Sequence, residues 1–308
     1  MIQDLLQLVS AERLRRDLVY LAGEPLPFRK VNYTRPGQSL SSLDEADAYL
    51  QAQLQAAGWA VARTTHRVQA FRCDATKPLH HWYSKPAPED AWYDACNLEA
   101  EKPGSACRDE IIQLIAHKDS MSWIDSPGAH DNAVGTVANL EIARALAGCP
   151  TRRTIRILFC NEEHTPWTSR FAADAAASRG DRIIAVLNQD SLDGKSEADM
   201  AAGRLIHVVA YSTDEGRPLA DLVERCNRTY GLGLEVAVAF KQHVNDDDGM
   251  FIKAGFRTTV MNLGSWPYAD AEYHLPGDRP ERVNLENVRR STQLVLAAVL
   301  ELDAHGLG

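Results

Sequence analysis

The sequence predicts an α/β fold, with a largely parallel sheet covered by helices on both faces. Three observations carry that expectation. From residue 110 onward, short apolar runs alternate with helical patterns, the signature of successive βαβ units. The runs 111–116, 154–160 and 183–187 are apolar over most of their length, as in strands buried on both faces. Each run then ends on polar groups: His117, Glu162-Glu163, and Asn188-Gln189-Asp190.

Taken in order, residues 2–22 and 42–57 carry helical periodicity, the second closed by Gly58. A β-rich stretch follows, with strands around residues 59–63 and 92–98. Between them, residues 74–91 hold Pro78, His80, His81, Trp82, Tyr83, Pro86 and Pro88 and read as a loop insertion near the active site. Loops of that length in compact domains are commonly lids or binding loops. His80 and His81 are read as exposed. The pattern then gives a strand at 110–117, a helix at 132–147 closed by Gly148, and a strand at 154–160. A helix at 167–178 and strands at 182–188 and 206–211 follow. The series ends with a helix at 217–230, a strand at 257–263 and a helix at 285–304. With no internal repeat, low-complexity tract or linker, residues 1–308 read as a single catalytic domain.

Composition narrows the function classes. A formal charge of −9 argues against nucleic acid or an anionic membrane as partner. No run approaches the ~20 apolar residues of a membrane span. The start of the chain lacks a basic leader and reads as an amphipathic helix rather than a signal peptide. Removal of a leader upstream would leave the same start, so the compartment is open between cytoplasmic and exported. The six cysteines show no Cys-x-x-Cys spacing, and Cys160 is read as a core thiol.

The chemistry is concentrated at the strand ends. Adjacent carboxylates such as Glu162 and Glu163 are costly to deliver together to a sheet rim unless cations offset them. His117, Asp131, Asp190 and His274 fall at the ends of other strands or in loops, where open α/β sheets carry their sites. Each alone has a bland reading, a structural histidine or a helix cap; the set at one rim does not. It points to a metal-dependent hydrolase in which one glutamate binds metal and its neighbour acts as base.

The motifs themselves are specific. His117-Lys-Asp119-Ser120 is followed by Pro127-Gly-Ala-His130-Asp131-Asn132-Ala-Val-Gly135, then by Glu162-Glu163 with Ser169 six residues on. Asn188-Gln-Asp190 and Tyr273-His274-Leu-Pro-Gly-Asp278 complete the series. In this order the chain resembles the co-catalytic zinc aminopeptidase family, the leucyl aminopeptidases related to glutaminyl cyclases and glutamate carboxypeptidases. The resemblance implies a three-layer α/β/α sandwich with a mixed, mainly parallel central sheet. It also implies two zinc ions bridged by Asp131, one completed by His117 and Asp190 and the other by Glu163 and His274. Glu162 would be the general acid/base, acting on a water clamped between the ions. Asp119, two residues from His117, would accept that ring's second N–H. Tyr273 matches a phenol that can hydrogen-bond the reacting carbonyl oxygen, with a core tyrosine as the alternative. Asp278 is read as anchoring its own loop.

Three positions depart from the family pattern. His130 stands where an aspartate is common. Residues 164–168, His-Thr-Pro-Trp-Thr, replace a Gly-Leu-containing turn, so Trp167 is a candidate for the substrate pocket. Asp248 occupies a position often held by histidine, which makes it a second pocket candidate beside the plainer reading of an acidic loop. The expected function is a zinc-dependent aminopeptidase-type exopeptidase acting on a peptide or small amide. One alternative is a mononuclear, glutaminyl-cyclase-like acyltransferase. Against it stand the short Glu163–Ser169 spacing and Asn132 after Asp131. A non-catalytic binding module on the same fold is the other alternative, disfavoured by a complete ligand set with a base.

Overall fold

The structure, a computed structural model, describes residues 2–307. The first expected helix is two: α1 (Ile2–Leu6) and α2 (Ala11–Ala22). Ser10 breaks them because its hydroxyl caps α2 at Arg13 N–H (3.2 Å), while its own N–H donates to Glu141 Oε1 (2.7 Å). Helix α3 (Ser42–Ala56) is capped in the same way by Ser41.

The chain then forms β1 (Ala60–Ala70), the small hairpin β2 (Arg72–Cys73) and β3 (Tyr83–Ser84), β4 (Tyr93–Lys102) and β5 (Cys107–His117). An irregular turn over residues 129–133 feeds α4 (Val134–Leu146). Next come β6 (Arg153–Cys160), β7 (His164–Thr165), α5 (Thr168–Arg179), β8 (Arg182–Gln189), α6 (Glu197–Ala201), β9 (Ile206–Tyr211) and α7 (Arg217–Tyr230). The chain closes with β10 (Glu235–Phe240), α8 (Asp246–Lys253), β11 (Thr259–Leu263) and α9 (Leu285–His305). Of these, β10 and α8 were not expected, nor were the short β2, β3, β7 and α6. Strand β10 is a half-exposed edge of six residues, and α8 begins with three aspartates that read locally as a loop but suit the positive end of a helix.

Nine strands form one mixed sheet in the order β10-β9-β11-β8-β5-β6-β4-β1-β7. Its centre, β11, β8, β5 and β6, is parallel, and antiparallel pairings lie toward both flanks. The two-residue side-chain period of a strand divides the sheet's faces. Ile112, Leu114, Ile155, Ile157, Phe159 and Leu187 pack with the apolar sides of α2, α3, α4, α7 and α9. Ile115, Leu158, Cys160 and Val186 face the other way, against Ala173 of α5 and Phe251 of α8. This is the expected three-layer sandwich. Each such side chain contributes roughly 1.5–3 kcal/mol by leaving water, and a one-residue slip would exchange the two layers, so the register is strongly held. No described helix is long and apolar enough to cross a membrane.

Candidate metal centre

Strand register gathers the polar groups. On β5 and β6, His117 lies opposite Cys160; on β5 and β8, Ile115 lies opposite Asn188. His117, the Glu162-Glu163 pair and Asp190 therefore emerge from three adjacent parallel strands at one level. Asp131 enters from the irregular turn before α4, and His274 from the loop after β11, with a left-handed φ of 58°.

The side chains converge on one carboxylate. His117 Nε2 is 3.0 Å from Asp131 Oδ1 and 3.5 Å from Asp190 Oδ1. His274 Nε2 is 3.2 Å from the other oxygen, Asp131 Oδ2, and 3.5 Å from Glu163 Oε1. Each histidine thus meets its own oxygen of Asp131 and its own further carboxylate. Both rings are held from behind: His117 Nδ1 faces Asp119 Oδ1 at 3.3 Å, and His274 Nδ1 faces the carbonyl of His80 at 2.7 Å. With Nδ1 as donor, each Nε2 presents a lone pair inward.

Asp119 does more than orient a ring. Its Oδ1 also accepts the Glu162 N–H (3.0 Å), and its Oδ2 accepts the Glu163 N–H (2.8 Å). One buried carboxylate thereby fixes His117 and the backbone of both glutamates. Asp278 plays a similar part for Asp131 rather than for its own loop. It accepts the backbone N–H of His130 at 2.8 Å and of Asp131 at 3.0 Å. His130, where an aspartate was expected, lies among Asp270 (2.7 Å), Asp193 (3.3 Å) and Asp278 (3.4 Å). Burial alone would push its pKa down, but hydrogen bonds to Asp193 and Asp270 outweigh it and lift His130 to about 10. The imidazolium and these carboxylates compensate one another.

Sequence reasoning missed Arg29, which is fully buried behind the site. Its guanidinium donates to the carbonyls of Leu21 (2.6 Å), Lys118 (2.7 Å), Pro127 (2.7 Å) and Gly128 (2.8 Å). It ties the segment after His117 to the turn before Asp131. Burial pushes its pKa down to about 10, opposed by Asp119, Asp278, Asp131 and Glu163, so it stays charged at neutral pH. His80 was also missed as a contributor. Besides accepting from His274, its ring Nδ1 lies 2.6 Å from the Tyr273 carbonyl.

A cavity of about 310 Å³ opens over the centre. It is lined by His117, Asp131, Glu162, Glu163, Asp190 and His274, and walled by aromatic groups that include Tyr83, Trp123, Trp167 and Tyr273. The Tyr273 ring stacks on His274 at 3.8 Å between centroids. Trp167 therefore borders the cavity. Asp248 does not: it is buried against Lys241 Nζ at 2.8 Å, and Asp246, at the start of α8, takes the rim position. Burial raises the pKa of Glu162 well above the carboxylate range, with Asp247 and Asp246 adding to it; burial also raises Glu163, to about 7.

The donor set fits zinc. Two imidazole nitrogens with carboxylates suit that borderline ion. Donors at 2.0–2.1 Å from a tetrahedral ion stand about 3.3 Å from one another, and the four nitrogen–oxygen separations above lie at 3.0–3.5 Å. Buried Asp131 Oδ2 has no hydrogen-bond partner among the described residues, as expected of an atom that answers to a cation. Donor atoms of Glu162, His117 and Asp190 also fall within 4.8 Å of one another, so Glu162 borders one half of the centre.

Comparisons with known proteins give a family match, sequence relatives and structural neighbours. The sequence profile of peptidase family M28 matches residues 97–299. Aminopeptidase YwaD of Bacillus subtilis (strain 168) is 26% identical over 207 residues, covering 65% of this chain and 43% of its own. The chain spans about half the length of the curated relatives it matches. Among solved structures, an aminopeptidase from Aneurinibacillus sp. strain AM-1 aligns with a TM-score of 0.73 at 13% identity, over 98% of this chain and 96% of that one. A glutaminyl cyclase of Bacteroides thetaiotaomicron aligns with a TM-score of 0.70 at 16% identity, over 94% and 97%. At these identities the structural likenesses establish the three-layer fold.

Proposed function

Since this chain belongs to peptidase family M28, we propose that it is a zinc-dependent aminopeptidase. It hydrolyses the first peptide bond of a peptide or dipeptide-like amide. The observation that carries this reading is Asp131, whose two oxygens face two different histidines, each with a further carboxylate. His117, Asp131 and Asp190 would hold one zinc ion, and Asp131, Glu163 and His274 a second. A bound pair would supply Lewis acidity, making a water acidic near neutral pH and polarising the scissile carbonyl.

The remaining work belongs to the chain. Glu162 lines the cavity beside the ligands, and its Oε2 makes no hydrogen bond with the described residues. The Glu162 carboxylate takes a proton from the attacking water and passes it to the leaving amine. Its neighbour Glu163 is committed to the ligand cluster, and the backbone bonds to Asp119 keep the pair in this division. Tyr273 borders the cavity from the His274 side, where its hydroxyl would stabilise the oxygen of the polarised carbonyl. Asp246, the lining carboxylate outside the ligand set and the base, favours the free α-ammonium of a substrate over a blocked one.

Three measurements separate this reading from its rivals. Metal analysis of zinc-saturated protein should give two ions per chain; one ion would favour cyclase-like chemistry. Glu162→Gln should keep both ions while abolishing turnover, and loss of one ion would make Glu162 a ligand. Hydrolysis of Leu-p-nitroanilide but not of its N-acetyl form is expected, and equal rates would overturn the aminopeptidase assignment.

A further inference from the structure

A second cavity, of about 450 Å³, adjoins the metal centre. The two share Phe71, Tyr83 and Trp167, which form the partition between them. Their lining side chains carry opposite charge. The metal cavity is lined by five carboxylates (Asp131, Glu162, Glu163, Asp190 and Asp246), and no lysine or arginine is among its described lining residues. The outer cavity is lined by Lys77, Lys85 and Arg170, with no carboxylate among its described lining residues. In a chain of net charge −9, a pocket bordered by three cations and no anion stands apart from the overall charge.

These cations are lightly engaged. Lys77 Nζ donates to the carbonyl of Tyr83 at 2.5 Å and lies 5.9 Å from that ring's centroid. Arg170 faces only Asp174, at 3.6 Å, and Lys85 has no side-chain partner among the described residues. Two of the three come from the 74–91 insertion, and Arg170 from the first turn of α5, just past the 164–168 departure from the family pattern. Thr165 pairs with Gln69 of β1, which holds that segment against the sheet beside the insertion.

We propose that the outer cavity binds a carboxylate on the leaving side of the substrate. The ligand is the C-terminal carboxylate of a short peptide or an acidic side chain near the cut. This rests on the aminopeptidase reading, in which the free amine is at the metal end and the leaving side extends past Trp167, which lines both cavities. A short peptide carries its negative charge at the end away from the free amine, where the three cations of the outer cavity lie. The apolar floor of Phe71, Pro166 and Met250 takes the intervening side chain.

The test uses Leu-Ala and Leu-Ala-Ala, each as free acid and as C-terminal amide, together with Leu-Ala-Glu-amide. Hydrolysis is followed with the zinc-loaded protein. Binding is followed by tryptophan fluorescence on the zinc-loaded Glu162→Gln variant, a readout that needs no turnover. At least one free acid should exceed its amide about tenfold in both kcat/KM and affinity, the scale expected when a few exposed ion pairs act together. In the Lys85→Ala/Arg170→Ala double variant the ratio should fall to within twofold, and 0.5 M NaCl should compress it likewise. Recovery of the advantage by Leu-Ala-Glu-amide would identify a side-chain carboxylate; its absence would identify the chain terminus. Equal handling of acid and amide at both lengths with no gain for Leu-Ala-Glu-amide over Leu-Ala-Ala-amide, or an advantage that survives the double variant, overturns the proposal. If no peptide is cleaved, the aminopeptidase reading fails, and the acid-to-amide ratio in binding still decides the subsite.

Discussion

Replacing Arg29 tests whether the segment upstream of the family match helps hold the metal centre. The guanidinium makes four side-chain hydrogen bonds to carbonyls that belong to three separate stretches of chain. Lysine keeps the charge but offers three donors from a single nitrogen, which cannot span these positions. One or two of the four buried carbonyls then lose their partner, at roughly 1–3 kcal/mol each, so Arg29→Lys should cost about 2–4 kcal/mol. Arg29→Met removes all four bonds and the charge that opposes Asp119, Asp131 and Glu163, for about 3–5 kcal/mol. An unfolding entropy near 2.1 cal/mol/K per residue converts each kcal/mol into about 1.5 °C for this chain. The expected falls in Tm are therefore about 3–6 °C for lysine and 5–8 °C for methionine, by calorimetry on the zinc-loaded protein. Because Lys118 and Gly128 flank the segments bearing His117 and Asp131, zinc release to a chelator should also quicken in both variants. A methionine variant with Tm within 1 °C of wild type and unchanged zinc release would refute the argument.

Other outcomes follow from the same geometry. Asp119→Ala should lower zinc affinity about 10–100-fold by chelator competition, since it frees His117 Nδ1 and both glutamate N–H groups at once. Zinc removal by a chelator should lower Tm, and excess zinc should restore it, since ligands that bind only the folded state stabilise it by mass action. Buried His207 sits between Ser291 Oγ and Asn262 Oδ1, each at 3.0 Å, a pairing that satisfies a neutral ring. Burial lowers its pKa to about 4, so the unfolded chain binds the proton first as pH falls below ~6.5. The stability it contributes is complete above that pH and is lost toward pH 4. Denaturant titrations should show wild type losing up to ~1.4 kcal/mol per pH unit more than His207→Gln in this window.

The parts legible in the sequence are those set by strand geometry. His117, Glu162, Glu163 and Asp190 follow apolar runs, and adjacent parallel strands in register must deliver them to one level. The parts that stayed hidden depend on contacts between distant segments. Arg29 carries no local signal in Leu26-Pro-Phe-Arg29-Lys30, because its four acceptors lie on other segments. The break at Ser10 needs Glu141, far along the chain, to be visible. His80 matters through its carbonyl, which no side-chain motif records. Asp248 was misplaced relative to the cavity because a three-aspartate run does not reveal which member turns to Lys241.

The two halves of the centre differ in how they are assembled. His117 ends β5 and Asp190 directly follows β8, its neighbour in the sheet's parallel middle, so their spacing is set by backbone pairing that exists before any ion arrives. His274 stands on a loop with a left-handed backbone that a histidine adopts at a cost, and its ring is steadied by the carbonyl of His80 across 194 residues of sequence. On the proposed two-ion reading, the sheet-borne half would fill first and the loop-borne half second. Cleaving the chain within residues 74–91 would then be a route to a protein holding one zinc ion, with the sheet intact.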